Sequence, residues 1–96
     1  MWLLVTYDVT TDDAPGRKRL RRVAKTCERY GRRVQKSVFE CKMDEKTVEL
    51  FRHRLLKEID ERHDSLRIYR LREPKEAYVE EYGRSDAIDF DDPLIV

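Results

Sequence analysis

Residues 2–9 read Trp2-Leu3-Leu4-Val5-Thr6-Tyr7-Asp8-Val9, a nearly continuous apolar run interrupted near its end by one carboxylate. A run of this length, with Val and Tyr, predicts a central strand buried on both faces. It is too short to cross a bilayer, and no membrane partner is expected. Met1 leads straight into it, so no signal peptide is expected either. The stretch Thr10-Thr11-Asp12-Asp13-Ala14-Pro15-Gly16 reads as a loop by composition.

Outward from this strand, Leu20, Val23, Ala24, Cys27 and Tyr30 recur at helical spacing, with Gly31 as the helix stop. Residues 33–43 are rich in Val and Phe and are extended. They form one bent strand, or a short hairpin with its break near Lys36-Ser37. Asp44 is the expected N-cap of a second helix. Val48, Phe51, Leu55 and Ile59 mark its apolar face, with Leu56 beside it. Glu61-Arg62-His63-Asp64 ends that helix, and Leu66, Ile68, Tyr69 and Leu71 make another strand. The order β-α-β(β)-α-β predicts an α+β fold, a ferredoxin-like βαββαβ sandwich with both helices on one face of a mostly antiparallel sheet. Residues 1–72 would form this domain, and residues 73–96 a C-terminal arm. The stub Asp92-Pro93-Leu94-Ile95-Val96 would add an edge strand to its own sheet or pack on a dimer partner.

With 96 residues the chain is one domain with a modest core, a size that favours pairing with a second copy. An apolar content of 40% excludes a disordered segment. Two cysteines make no disulfide framework, so a reducing cytoplasm is expected, with Cys27 and Cys41 as small core residues. His53 and His63 lack metal spacing with either cysteine and are expected at the surface.

Net charge is only +1, but its distribution is uneven. Between residues 17 and 36 there are ten Lys or Arg against Glu28 alone, and residues 73–96 carry eight acids against Lys75 and Arg84. Solvated helix faces usually mix signs. Arg17, Lys18, Arg19, Arg21, Arg22, Lys25 and Arg32 therefore read as contacts to a nucleic-acid backbone. The rival reading is pairing of this basic block with the acidic tail.

Asp8 admits two readings as well. A strand-end Asp can cap its loop, helped by Thr10 and Thr11. It can also hold magnesium (or manganese), which takes one or two carboxylates plus phosphate oxygens and water. One Asp per chain is an incomplete site, and a two-fold dimer would supply the second carboxylate. Such a metal would serve phosphodiester cleavage. Tyr7, Arg33 and Ser37 would orient the phosphate. Arg33, Gln35, Ser37 and Phe39 would share one face if their strand were regular.

Three blocks then occur in order: Tyr7-Asp8-Val9; Lys18-Arg19-Leu20-Arg21-Arg22-Val23-Ala24-Lys25; and Tyr30-Gly31-Arg32-Arg33-Val34-Gln35-Lys36-Ser37-Val38-Phe39-Glu40-Cys41. Together they closely resemble the small CRISPR-associated endonuclease family, the Cas-two proteins. The resemblance continues through Asp64-Ser65-Leu66-Arg67-Ile68-Tyr69-Arg70-Leu71. The ending Ile88-Asp89-Phe90-Asp91-Asp92-Pro93-Leu94-Ile95-Val96 looks like the type I-C branch. The resemblance implies a ferredoxin-like homodimer with Asp8 as the shared magnesium ligand. It implies cleavage of double-stranded DNA or single-stranded RNA, and work with the CRISPR integrase, Cas-one, in spacer insertion. Arg33, Ser37 and Phe39 fall on family-pattern positions near the metal or the dimer seam. A non-catalytic duplex-binding scaffold for the integrase is the alternative.

Overall fold

Two aspartates start the two long helices. In the computed structural model, which describes residues 1–83, Asp13 accepts from the Gly16 amide at 2.8 Å and opens α1 (Ala14–Tyr30). Asp44 caps α2 (Glu45–Glu58) in the same way, accepting from the Thr47 amide at 2.8 Å. Each cap satisfies an amide that the first helical turn leaves unpaired. The Asp44 cap matches expectation. The first helix starts earlier than its loop-like composition suggests, because Ala14-Pro15-Gly16 forms its opening turn, where proline's missing N–H costs nothing. Gly31 ends α1, as expected of it, and does so without a left-handed backbone. Its φ of −162° is ordinary extended backbone, its amide donates to the Cys27 carbonyl, and it opens β2 (Gly31–Gln35) directly. A Cβ there would collide with the Glu40 carbonyl and Cys41 Sγ, so close strand approach is what requires glycine.

The strands β1 (Trp2–Asp8), β2, β3 (Val38–Lys42) and β4 (Ser65–Leu71) form one sheet in the order β2-β3-β1-β4, with every pairing antiparallel. This is the ferredoxin-like order. Of the two readings of residues 33–43, the hairpin is the one formed. β2 and β3 meet through a turn at Lys36-Ser37, with a register shift between Arg33 and Gln35.

The two-residue period of β1 decides where the core sits. Leu3, Val5, Tyr7 and Val9 join Val23 and Cys27 from α1, Phe39 and Cys41 from β3, and Val48, Phe51 and Leu55 from α2. Leu66 and Ile68 of β4 pack against them. The alternate β1 residues differ: Leu4 and Thr6 are half-buried and Asp8 is exposed. Burial of β1 on both faces is therefore corrected, because both long helices pack on the other face of the sheet. On the open face Leu4 stands between Glu40 of β3 and Tyr69 of β4. Among the described residues only Trp2 is well buried on this face, where residues 73–78 dock. Glu73 pairs with Lys42 at 3.5 Å and with the N-terminal amine at 3.8 Å, Lys75 pairs with Glu40, and a short helix α3 (Lys75–Tyr78) follows. The strand expected of Leu94-Ile95-Val96 lies outside the described residues.

Candidate functional site

β1 delivers Asp8 to one rim of the sheet. Its Cα partner is Ser65 at the start of β4, and the neighbouring Tyr7 amide donates to the Ser37 carbonyl at 3.1 Å. The hairpin turn, the start of β4 and the loop into α1 thus converge on the same edge. The Asp8 carboxylate is exposed and makes no hydrogen bond or ion pair among the described residues. It does not cap its loop, a task that Asp13 performs. A free carboxylate on open surface suits a hard cation that draws its other ligands from phosphate and water. Among the described residues no three His, Cys, Asp or Glu side chains gather into a metal cluster.

Tyr7 alternates to the opposite face, and the rest of the expected set follows it. Tyr7 is 5% exposed and stacks on the fully buried Phe39 with ring centroids 6.1 Å apart. Arg33 is the cross-strand partner of Phe39, its Cζ lies 5.1 Å from the Phe39 ring centroid, and its guanidinium pairs with Glu28 at 3.4 Å. Ser37 sits in the turn. Arg33, Gln35, Ser37 and Phe39 therefore do not line one strand face, because the hairpin reverses between them. The structure joins Tyr7, Phe39 and Arg33 into a stack on the helix side of the sheet, while Asp8 alternates away from it. Burial pushes the Tyr7 phenol up. The Arg33 guanidinium pulls the other way, although no hydrogen bond of proper geometry reaches the hydroxyl.

The cations of α1 divide into two groups. Arg17, Lys18, Arg21, Arg22 and Lys25 are exposed, with no ion pair among the described residues. Arg29 extends the outward stripe of Lys18, Arg22 and Lys25 at spacings of four, three and four, a period that could have singled it out. Arg19 behaves differently. Its Nε donates to Asp64 Oδ2 at 2.9 Å and its Nη2 to Oδ1 at 3.3 Å. Arg32 pairs with Glu40 at 3.4 Å. These two of the seven expected backbone contacts are engaged inside the protein. Pairing of the basic helix with the acidic tail is not found among the described residues, where Glu73 serves Lys42 and the N-terminus instead.

Asp64 reads in the sequence as a helix end and as the start of a stretch shared with the resembled family, with no role in the site. Its side chain is fully buried and its two oxygens accept from Arg19, from the Thr10 amide at 3.1 Å and from the Asp60 amide at 2.8 Å. Burial alone would raise its carboxyl. The bonds from Arg19, Asp60 and Thr10 outweigh it and hold the group below the ordinary range. No local pattern marks this residue, since Arg19 and Thr10 are 45 and 54 positions away. His63 and His53 are exposed as expected, and His63 Nδ1 lies 3.0 Å from Asp60 Oδ2. Cys27 and Cys41 are buried, and burial pushes both thiols up to about 12. Among the described residues no helix is long and apolar enough to cross a membrane.

Residues 1–79 match the family model described as CRISPR associated protein Cas2. The chain is 57% identical over 96 residues to a CRISPR-associated endoribonuclease Cas2 of Moorella thermoacetica, covering all of both chains. It is 50% identical over 95 residues to a CRISPR-associated endonuclease Cas2 of Halalkalibacterium halodurans, covering 99% of each. Among solved structures, the crystal structure of Streptococcus pyogenes Cas2 at pH 6.5 superposes with a TM-score of 0.77 at 51% identity, covering 86% of this chain and 100% of that one. The ending 88–96, which carries the type I-C likeness, lies outside the described residues.

Proposed function

The chain belongs to the CRISPR-associated Cas2 family, and on that premise we propose a dimeric, magnesium-dependent endonuclease whose metal site takes one Asp8 carboxylate from each copy. The observation that carries this reading is the Asp8 carboxylate itself, exposed at the rim of an open sheet face and without a side-chain partner among the described residues. Pairing through that face, where Leu4, Val38, Tyr69 and Leu71 stand, would bury apolar surface and bring two such rims towards each other. Residues 1–72 form the nuclease domain in this reading, and residues 73–96 the arm that packs on the partner.

Each part of the site then has a task. The free cations of α1 hold the phosphate backbone of double-stranded DNA or single-stranded RNA, and carry no sequence preference of their own. Asp8 binds the divalent ion, magnesium or manganese. When bound, the ion supplies Lewis-acid stabilisation of charge developing on the phosphate. In this reading Ser37 at the rim orients the phosphate, and Arg33 does so only by leaving its pairing with Glu28 on the helix side. Buried Tyr7 and Phe39 act by holding Arg33 and the end of β1. Cleavage of duplex DNA and single-stranded RNA by wild type and Asp8→Asn, with magnesium and with a chelator, tests this. Loss of cleavage with Asp8→Asn and with the chelator is expected. Undiminished cleavage by the variant removes Asp8 from the mechanism.

The six cations of α1 that are unpaired among the described residues favour a second role, a duplex-holding scaffold beside the CRISPR integrase, Cas-one, during spacer insertion. One surface can both hold and cut. Spacer acquisition that proceeds normally with Asp8→Asn would assign the cellular role to holding.

A further inference from the structure

We propose that Asp64 is a positioning residue for the Asp8 carboxylate, acting through the backbone of Thr10. This rests on the reading of Asp8 as the metal ligand.

Thr10, two residues beyond Asp8, is held from three sides. Its amide donates to Asp64 Oδ1 at 3.1 Å and its hydroxyl to the His63 carbonyl at 2.6 Å. Its carbonyl packs so tightly against Gly16 in the first turn of α1 that a Cβ there would collide with it. On the other side, Asp8 is fixed by its pairing with Ser65. The backbone is thus clamped at residues 8 and 10 while the Asp8 carboxylate makes no hydrogen bond or ion pair among the described residues. A cation ligand needs this combination of fixed direction and open lone pairs.

Asp64 is placed to be the anchor. Oδ1 accepts from Thr10 and Arg19, and Oδ2 from Arg19 and the Asp60 amide. One carboxylate therefore ties together the loop after β1, the helix α1 and the turn before β4. Arg19 balances a charge that burial would otherwise penalise. An asparagine cannot replace it. An amide offers one acceptor oxygen, so its NH2 must face a donor on either the Thr10 side or the Asp60 side.

The test is manganese binding to the full chain, followed by electron paramagnetic resonance, for wild type, Asp64→Asn, Arg19→Lys and Asp8→Asn. Loss of a partner bonded directly to a metal ligand typically weakens a site by about 10- to 100-fold; Asp64 acts one step further out, so a weakening at the low end of that range, about tenfold, is expected for Asp64→Asn. Duplex binding in a chelator should not weaken. In cleavage, kcat should fall while KM holds, and the Thr10 amide should exchange faster with solvent. Arg19→Lys leaves the Thr10 acceptor in place and should keep most of the manganese affinity. If Asp8→Asn abolishes manganese binding while Asp64→Asn binds as wild type does, the positioning role is overturned and the metal reading survives. If Asp8→Asn binds manganese normally, the metal reading falls, and this role falls with it. Should Asp64→Asn fail to fold, Asp64→Glu keeps the charge that Arg19 balances but displaces the acceptor of the Thr10 amide, and should weaken manganese binding in the same direction. Unchanged affinity in that variant overturns the proposal.

Discussion

The division of the α1 cations can be read as a salt slope. Arg22 and Lys25 are exposed and unpaired among the described residues, whereas Arg19 is engaged by a fully buried carboxylate. Each phosphate contact on B-DNA adds about 0.9 to the slope of log affinity against log salt. If both residues contact phosphate, the double variant Arg22→Gln/Lys25→Gln should lower the slope by about 1.8 for each chain on the duplex. Between about 50 and 200 mM salt, its affinity should fall roughly tenfold less than that of wild type. Arg19→Gln should leave the slope unchanged. Its cost is stability: Asp64 is 0% exposed at its side chain and Arg19 22%, so Asp64 is left as a buried charge with only two amide donors. That is a loss of up to about 3 kcal/mol, read as a drop in melting temperature on the order of 10 °C. Fluorescence anisotropy titrations at four salt concentrations, with thermal melts of the same samples, separate the two effects. A reduced slope for a stably folded Arg19→Gln, or an unchanged slope for the double variant, would refute the division.

Three further outcomes follow from the same geometry. The folded carboxyl of Asp64 is held below its unfolded value of 3.8, so its contribution to stability is complete above that value and is lost as pH falls through the folded one. The gap in melting temperature between wild type and Asp64→Asn should be wide at neutral pH and narrow below about pH 4; a gap that stays constant would count against the pairing. With both thiols pushed up to about 12 by burial, Cys27 and Cys41 should ignore Ellman's reagent at neutral pH and titrate fully once the chain is unfolded. Tyr69 is 41% exposed on the open sheet face, so Tyr69→Arg should abolish dimerisation in sedimentation experiments and leave the melt of the monomer core intact, and a surviving dimer would place the seam elsewhere.

What could be read from the sequence was whatever repeats over a few residues. The existence of β1, the periods of α1 and α2, and the Asp44 cap ahead of Val48 needed no distant partner, whereas the one-sided burial of β1 did. The choice between strand and hairpin at residues 33–43 stayed open because Lys36-Ser37 carries neither the Gly nor the Asn that marks a two-residue turn. The same limit governs the site. Asp8 and Asp13 are both acids flanking one Thr- and Asp-rich stretch, and only the fold gives the cap to Asp13 and leaves Asp8 open. Likewise Arg19 stands in the run Arg17-Lys18-Arg19-Leu20-Arg21-Arg22, chemically the equal of its neighbours. It is drawn inward by a carboxylate 45 positions later. Asp64 thus links two properties that stand apart in the sequence: it bonds the segment that follows Asp8, and it takes one cation out of the basic stripe proposed to face nucleic acid. Neutralising it should therefore release Arg19 to the helix surface. The same substitution that loosens the cutting site should, if anything, strengthen the grip on the duplex, an opposition that damage to the fold alone would not produce.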